Sequence, residues 1–401
     1  MNAARAAGVV VAAAVVVGLA GGAAAPEARQ VYAPVWRQPV VEAVPCFLSA
    51  FLPPSDAEHC IAWTRRESAG PAFHADTGIL LIGGSDKKLH ALDAHEGKPL
   101  YAVPIPGALT TTPTLDGDAA FFGTDDGHVL RADVSSGKSR WDVVVDAEIE
   151  EPVVVDGDLV FAVTGADTLF ALNKTTGEAA WSYKHPLPRG ITLRGQSRPL
   201  VMTVATPEGP KRRVFIGHAS GRLTILDRAT GTVVDELNIS GDDTFGDLDA
   251  DPFEQNGHVV LASNTKGVMA IDPRTGAELW KTPEPGIVRL ARGGNHMVVA
   301  AGPQKILGLD AKSGAIRWRF TFDKGSPTRL NVKGGRVQVG SDRSSLFVLD
   351  LFSGRPMQYI GSGLGFAADI ELWNDMLFAT TSAGDVIAYS NGWRGLVQAK
   401  R

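Results

Sequence analysis

Positive charge is the first thing this sequence has too little of. Its 39 Lys and Arg are outnumbered by 44 Asp and Glu, for a net charge of −5 spread along 401 residues. A nucleic-acid partner selects concentrated basic surface, so that class is excluded. Helical periodicity is also missing beyond the first 25 residues. That rules out a helical solenoid, and with it a Gly-rich phosphate loop, which needs a helix to open. Long apolar runs are scarce, and cysteine occurs only twice. Turn formers are plentiful: 45 Gly and 24 Pro indicate a turn-rich β protein. The length suits two or three ordinary domains or one large closed β fold.

The single long apolar run comes after Arg5 and reads "AAGVVVAAAVVVGLAGGAAA". It is expected to be a signal peptide over residues 1–25, cleaved near Ala24, although it is just long enough to serve as an uncleaved membrane anchor. No cysteine stands directly after it, so no lipid-attachment site is visible. In an exported chain Cys46 and Cys60 are expected to form a disulfide rather than a metal or redox pair. The bridge would staple the Pro-rich segment 26–58 to the start of the repeats and contribute about 3 kcal/mol on the chain-entropy model.

Repetition dominates the rest of the chain. Seven segments, among them "LHALDAHEGKPLY", "LFALNKTTGEAAW" and "ILGLDAKSGAIRW", share one register. An apolar strand ends in Asp93, Asp133, Asn173, Asp227, Asp272, Asp310 or Asp350, and a glycine stands four residues on, from Gly97 to Gly354. The acidic or amide side chain can bond the turn's backbone amides, and glycine can take the positive φ that reverses the chain. Trp141, Trp181, Trp280 and Trp318 close four of the units and offer flat apolar surface for packing between units. Hairpin signals such as Asp116–Gly117 and Asn256–Gly257 lie upstream, giving four short antiparallel strands per unit. The expected fold is all-β, an eight-bladed propeller over residues 59–390, with seven blades as the alternative. The last unit lacks its closing strand, and residues 59–64, ending near Trp63, are expected to supply it and seal the ring. A basic tail, 391–401, is expected to fray.

The "ALD..TG..LW" units resemble the pyrroloquinoline-quinone-type propeller repeat found in quinoprotein dehydrogenases and in the BamB family of outer-membrane protein assembly factors. The repeat specifies fold well and function poorly. Two breaks in the rhythm, "ITLRGQSRP" and "FGDLDADP", resemble BamB features that contact a POTRA domain of BamA, the β-barrel insertase. The resemblance implies that Ile191 and Leu193 are apolar anchors, Arg194 the cation, and Asp247 and Asp249 an acidic pair on the same rim. It implies a non-catalytic scaffold in the periplasm, associated with the outer membrane through its partner, monomeric within a hetero-complex and able to receive unfolded β-barrel clients. Members are typically tethered by lipid on an N-terminal cysteine, which this chain does not display. An exposed aliphatic pair beside an arginine and two carboxylates is the kind of group found at interface hot spots. In the blander reading Ile191 and Leu193 pack the loop onto the propeller while the aspartates cap turns. The partner could also be another envelope complex.

No enzymatic or cofactor site is expected. A quinoprotein would resemble its family in having adjacent cysteines over the cofactor and oxygen ligands for calcium; neither is legible, and the aspartates are turn formers. The nine histidines are scattered; His90 and His95 lack zinc spacing. Ser197 and Ser220 have no readable triad partners. Lys211, Arg212 and Arg213 are expected to form a solvated hairpin tip, or else a secondary electrostatic contact with a partner or anionic headgroups.

Overall fold

The computed structural model describes residues 31–40, 69–186 and 197–391, apart from 242, 244, 363, 364 and 367. Within them the chain forms eight four-stranded antiparallel sheets, the blades of a propeller. Blade 1 comprises Ala72–His74, Ile79–Gly83, Lys88–Asp93 and Pro99–Pro104, and blades 2 to 7 repeat that order. The second and third strands lie between neighbouring blades and are buried on both faces, as in Ala119–Gly123 and Leu159–Val163. They therefore read as unbroken apolar runs. Outer strands such as Ala179–Lys184 alternate between exposed and half-buried residues, because only one face meets the next blade.

The expected turn chemistry is present. Asp93 Oδ1 accepts from the amides of His95 and Glu96, and Asn173, Asp227, Asp310 and Asp350 repeat this at their own turns. In blades 1 to 7 the register shifts just before this turn, between the third and outer strands. Such a bulge twists the outer strand and re-aims its side chains. The tryptophans then latch one blade to the next. Trp318 Nε1 donates to Leu351 O at 2.8 Å, and a Cβ on Gly354 would fall 2.5 Å from the indole. Trp141, Trp181 and Trp280 make the same contact with Lys174, Arg228 and Ala311. Gly354 thus satisfies two demands, a φ of +68° and the close approach of a ring. Truncating such a buried indole costs about 3–5 kcal/mol.

Closure departs from expectation. The strand that completes blade 8 is Ala33–Pro39, paired antiparallel with Asp385–Ser390. Trp36 takes the latching place expected of Trp63, donating to Ala94 O of blade 1 at 3.0 Å. Residues 59–64, and Cys46 and Cys60 with them, lie outside the described residues. Prolines at 34 and 39 disfavour a central strand, but this one is outermost in its sheet, where a missing ladder donor is tolerated.

Antiparallel alternation sorts the loops. Blade-to-blade connections and each blade's second turn share one end of the propeller, and the Asp–Gly turns share the other. The connections are bonded to those second turns, for example through Asp125 N to Ala108 O and Asn264 N to Asp247 O, both 3.0 Å.

Candidate functional site

The connection end carries the second break in the repeat and, from Ser197 on, the end of the first. Residues 187–196, with Ile191, Leu193 and Arg194, lie outside the described residues. The buried Oγ of Ser197 accepts from Gly217 N at 3.0 Å. The place a Cβ would occupy on Gly217 lies 2.9 Å from Ser197 Oγ and 2.7 Å from Leu248 Cβ. Next to it, Arg198 N donates to Asp251 Oδ1 at 2.9 Å. The end of the first break and the core of the second therefore meet beside blade 4.

The second break is strapped down. Leu248 enters a cluster with Met202, Phe215 and Leu261, and its N–H donates to His218 O at 3.2 Å. That anchoring carries Asp247 and Asp249 inward, leaving them 1% and 5% exposed, and neither residue is without a partner. This corrects the expectation of a bare acidic pair on the rim. The exposed member of the segment is Phe245, 40% accessible and held at a φ of +61°. A bulky residue in the left-handed region is a strained one, and such strain gathers at functional positions. It stands in the "FGDLDADP" motif, where its aromatic character was the available signal.

A ring of charge around the axis is the other feature that sequence reasoning missed. Arg329 places its guanidinium 3.3 Å from Asp251, 3.3 Å from Asp369 and 3.8 Å from Glu151. Arg329, Asp369 and Glu151 border a cavity of about 660 Å³ that Arg289 and Thr110–Thr112 also line. Burial opposes Arg329's charge, yet Asp369, Asp251 and Glu151 together raise its pKa. Burial pushes the Glu151 carboxyl up to about 7, with Asp251 adding to the rise. Burial also works against the Asp251 carboxylate, but Arg329 and Arg198 hold it below the usual range. Of the acids lining the cavity, Glu151 and Asp369 lie against Arg329, while Asp125 and Asp342 accept from the backbone amides of Ala108 and Ser326.

The remaining candidates have local partners. His90 Nε2 pairs with Asp86 at 2.9 Å, and exposed His95 gives only its amide to Asp93. The basic triplet is not a hairpin tip: it lies within the strand Gly209–Gly217, where Arg212 bonds Asp156 of blade 3 and Arg213 bonds Asp227. Of the three, Lys211 is the one left without an ion pair among the described residues.

Comparison with known proteins agrees with this geometry. A family model described as outer membrane protein assembly factor BamB matches residues 33–144, 117–286 and 265–390. The assembly factor BamB of Vibrio cholerae is 29% identical over 119 residues, 28% of this chain and 28% of that protein. Its counterpart in Shewanella oneidensis is 25% identical over 207 residues, 50% of this chain and 40% of that one. The chain thus spans less than half the length of the curated relatives it matches. Among solved structures, BamB from Moraxella catarrhalis superposes with a TM-score of 0.68 at 20% identity, covering 80% of this chain and 95% of its own. A quinohemoprotein alcohol dehydrogenase from Comamonas testosteroni reaches 0.65 at 12% identity, covering 90% and 77%. At these identities the likeness is one of fold, which an assembly factor and an oxidoreductase share.

Proposed function

This chain belongs to the BamB family of outer-membrane protein assembly factors, and from that premise we propose that it is a non-catalytic periplasmic scaffold of the Bam complex. It docks on a POTRA domain of BamA through residues 190–198. The supporting observation is the convergence of Ser197 and Arg198 with Leu248 and Asp251 at one end of blade 4. Ile191 and Leu193 serve as apolar anchors and Arg194 as the cation, with Phe245 as a further exposed contact. Asp247 and Asp249, being buried, act by holding the strap in place rather than by touching the partner. Each blade also ends in an outer strand with one unpaired edge and exposed side chains such as Val144 and Leu100. Those edges suit β-rich clients that bind by strand addition.

Titration calorimetry with BamA's purified periplasmic region tests the docking site. Leu193→Asp and Arg194→Glu should each weaken binding about tenfold or more, a loss of about 1.4 kcal/mol, while Phe352→Ala at the opposite end leaves it unchanged. Asp247→Asn should lower affinity and thermal stability together, as a positioning group does. Affinity indifferent to both loop substitutions would refute the site.

A further inference from the structure

Three side chains at the seam between blades 3 and 4 form a cluster of their own, tied to the strap through the His218 carbonyl that accepts from Leu248 N. Asp167 occupies the second turn of blade 3 at a φ of +58°, His185 comes just after that blade's outer strand, and His218 opens the second turn of blade 4. They are 1%, 4% and 0% exposed. The two imidazoles stack with centroids 3.9 Å apart and an interplanar angle of 15°. Both turn Nδ1 toward the same carboxylate, His218 at 2.7 Å from Oδ1 and His185 at 3.5 Å from Oδ2. One candidate ligand atom from each residue lies within 4.8 Å of the others. Asp167 Oδ2 and His185 Nδ1 are sealed from solvent with no hydrogen-bond partner.

The outward nitrogens explain why Nδ1 faces in. Thr224 Oγ1 donates to Glu236 Oε2 at 3.5 Å, which leaves it a lone pair for His218 Nε2, 2.9 Å away, in the Nε2–H tautomer. His185 Nε2 faces Glu236 Oε2 at 3.6 Å. In the tautomer that places a proton on both Nε2 atoms, both Nδ1 atoms face the carboxylate as acceptors, and the nearly parallel rings must splay from their 15° stack for both to close on one ion. Three acceptors around one point repel unless something positive joins them. One proton on His218 satisfies one contact and leaves the other two atoms orphaned. A cation satisfies all three. Zinc bonded at about 2.0–2.2 Å sets tetrahedral ligand atoms roughly 3.3–3.5 Å apart, close to the spacing already present between His185 and Asp167. Two imidazoles and a single carboxylate suit the zinc class rather than calcium or magnesium. Metal-binding histidines also characteristically donate their second N–H to a carboxylate or other acceptor, the role that Glu236 and Thr224 fill.

We propose that Asp167, His185 and His218 bind a zinc-class divalent cation that ties the exit of blade 3 to the second turn of blade 4. The proposal does not rest on the docking reading and is read out without BamA. The test is calorimetric titration of zinc chloride into the full chain after dialysis against a chelator, with cobalt(II) absorption as a second probe of the ligand set. One zinc per chain should bind with a Kd below about 1 μM, and zinc should raise Tm. His185→Gln and His218→Gln should each weaken binding more than about 100-fold and abolish the rise in Tm, while Thr224→Val and Glu236→Gln cost about 10–100-fold. A wild-type titration without saturable stoichiometric binding overturns the proposal whatever the variants do. So does binding that survives both histidine substitutions, which would place the metal elsewhere.

Discussion

In several blades the residue just ahead of the first strand lies at the axial cavity, which Thr112, Glu151, Arg329 and Asp369 line. Thr112, Glu151, Arg198 and Asp251 each precede a proline, while Arg329 and Asp369 hold the same register without one. Glu151 keeps 22% of its side chain accessible, but to the axial cavity rather than to open solvent. Because burial raises its carboxyl from an unfolded value near 4.5 to about 7, the folded protein holds a proton there that the unfolded chain releases. The associated stability is complete below about pH 4.5 and lost as pH rises through 7. Glu371, also raised to about 7 by burial, acts in the same direction. Thermal unfolding from pH 5 to 8 should show stability falling, and Glu151→Gln should flatten that fall by on the order of 1–3 kcal/mol; identical slopes would contradict the assignment. None of this ring was legible in advance. Its charges lie up to hundreds of residues apart, and the one local signal, an ionic or polar residue before a blade-opening proline, also fits an ordinary turn.

At the scale of the element, the local grammar was legible and the closure was not. Each Asp–Gly turn carries its chemistry within five residues, so the third and outer strands of seven blades could be read directly. The closing strand makes no such local bond. "CIAWT" offered a tryptophan without prolines, and "APVWRQP" was the weaker strand by composition, yet tertiary pairing at a sheet edge chose the latter. The seam before it is held by a substitution in the repeat. Where blades 2, 3, 5 and 6 carry tryptophan, blade 7 has Gln358, whose Oε1 accepts from Val31 N at 2.8 Å and Tyr32 N at 2.6 Å, and whose Nε2 donates to Tyr32 O at 2.7 Å. Gln358→Ala leaves those buried backbone groups unpaired, a cost of about 2–3 kcal/mol. The expected outcome is faster hydrogen exchange concentrated in 31–39 and in its partner Asp385–Ser390. Exchange that rises evenly over all blades would argue against this latch.

Taken whole, the molecule is polarised. The Asp–Gly turns occupy one end and do structural work, while the strap 245–251, the mouth of the charged cavity, the histidine pair and Ser197 gather at the other. The meeting of Ser197 and Arg198 with the second break could be anticipated, because consecutive connections in a closed propeller emerge at the same end. The burial of Asp247 and Asp249 could not, since it depends on Leu248 dropping into the core of blades 4 and 5 and pulling both neighbours in. On the proposed function, the connection end beside blade 4 is the surface that receives BamA. Photo-crosslinking tests this most directly, with a photoreactive residue placed in turn at 193, 245 and 352 and the full chain mixed with BamA's periplasmic region. Adducts with a POTRA domain should form from 193 and 245 and be absent from 352; adducts from 352 alone, or equally from all three, would contradict it.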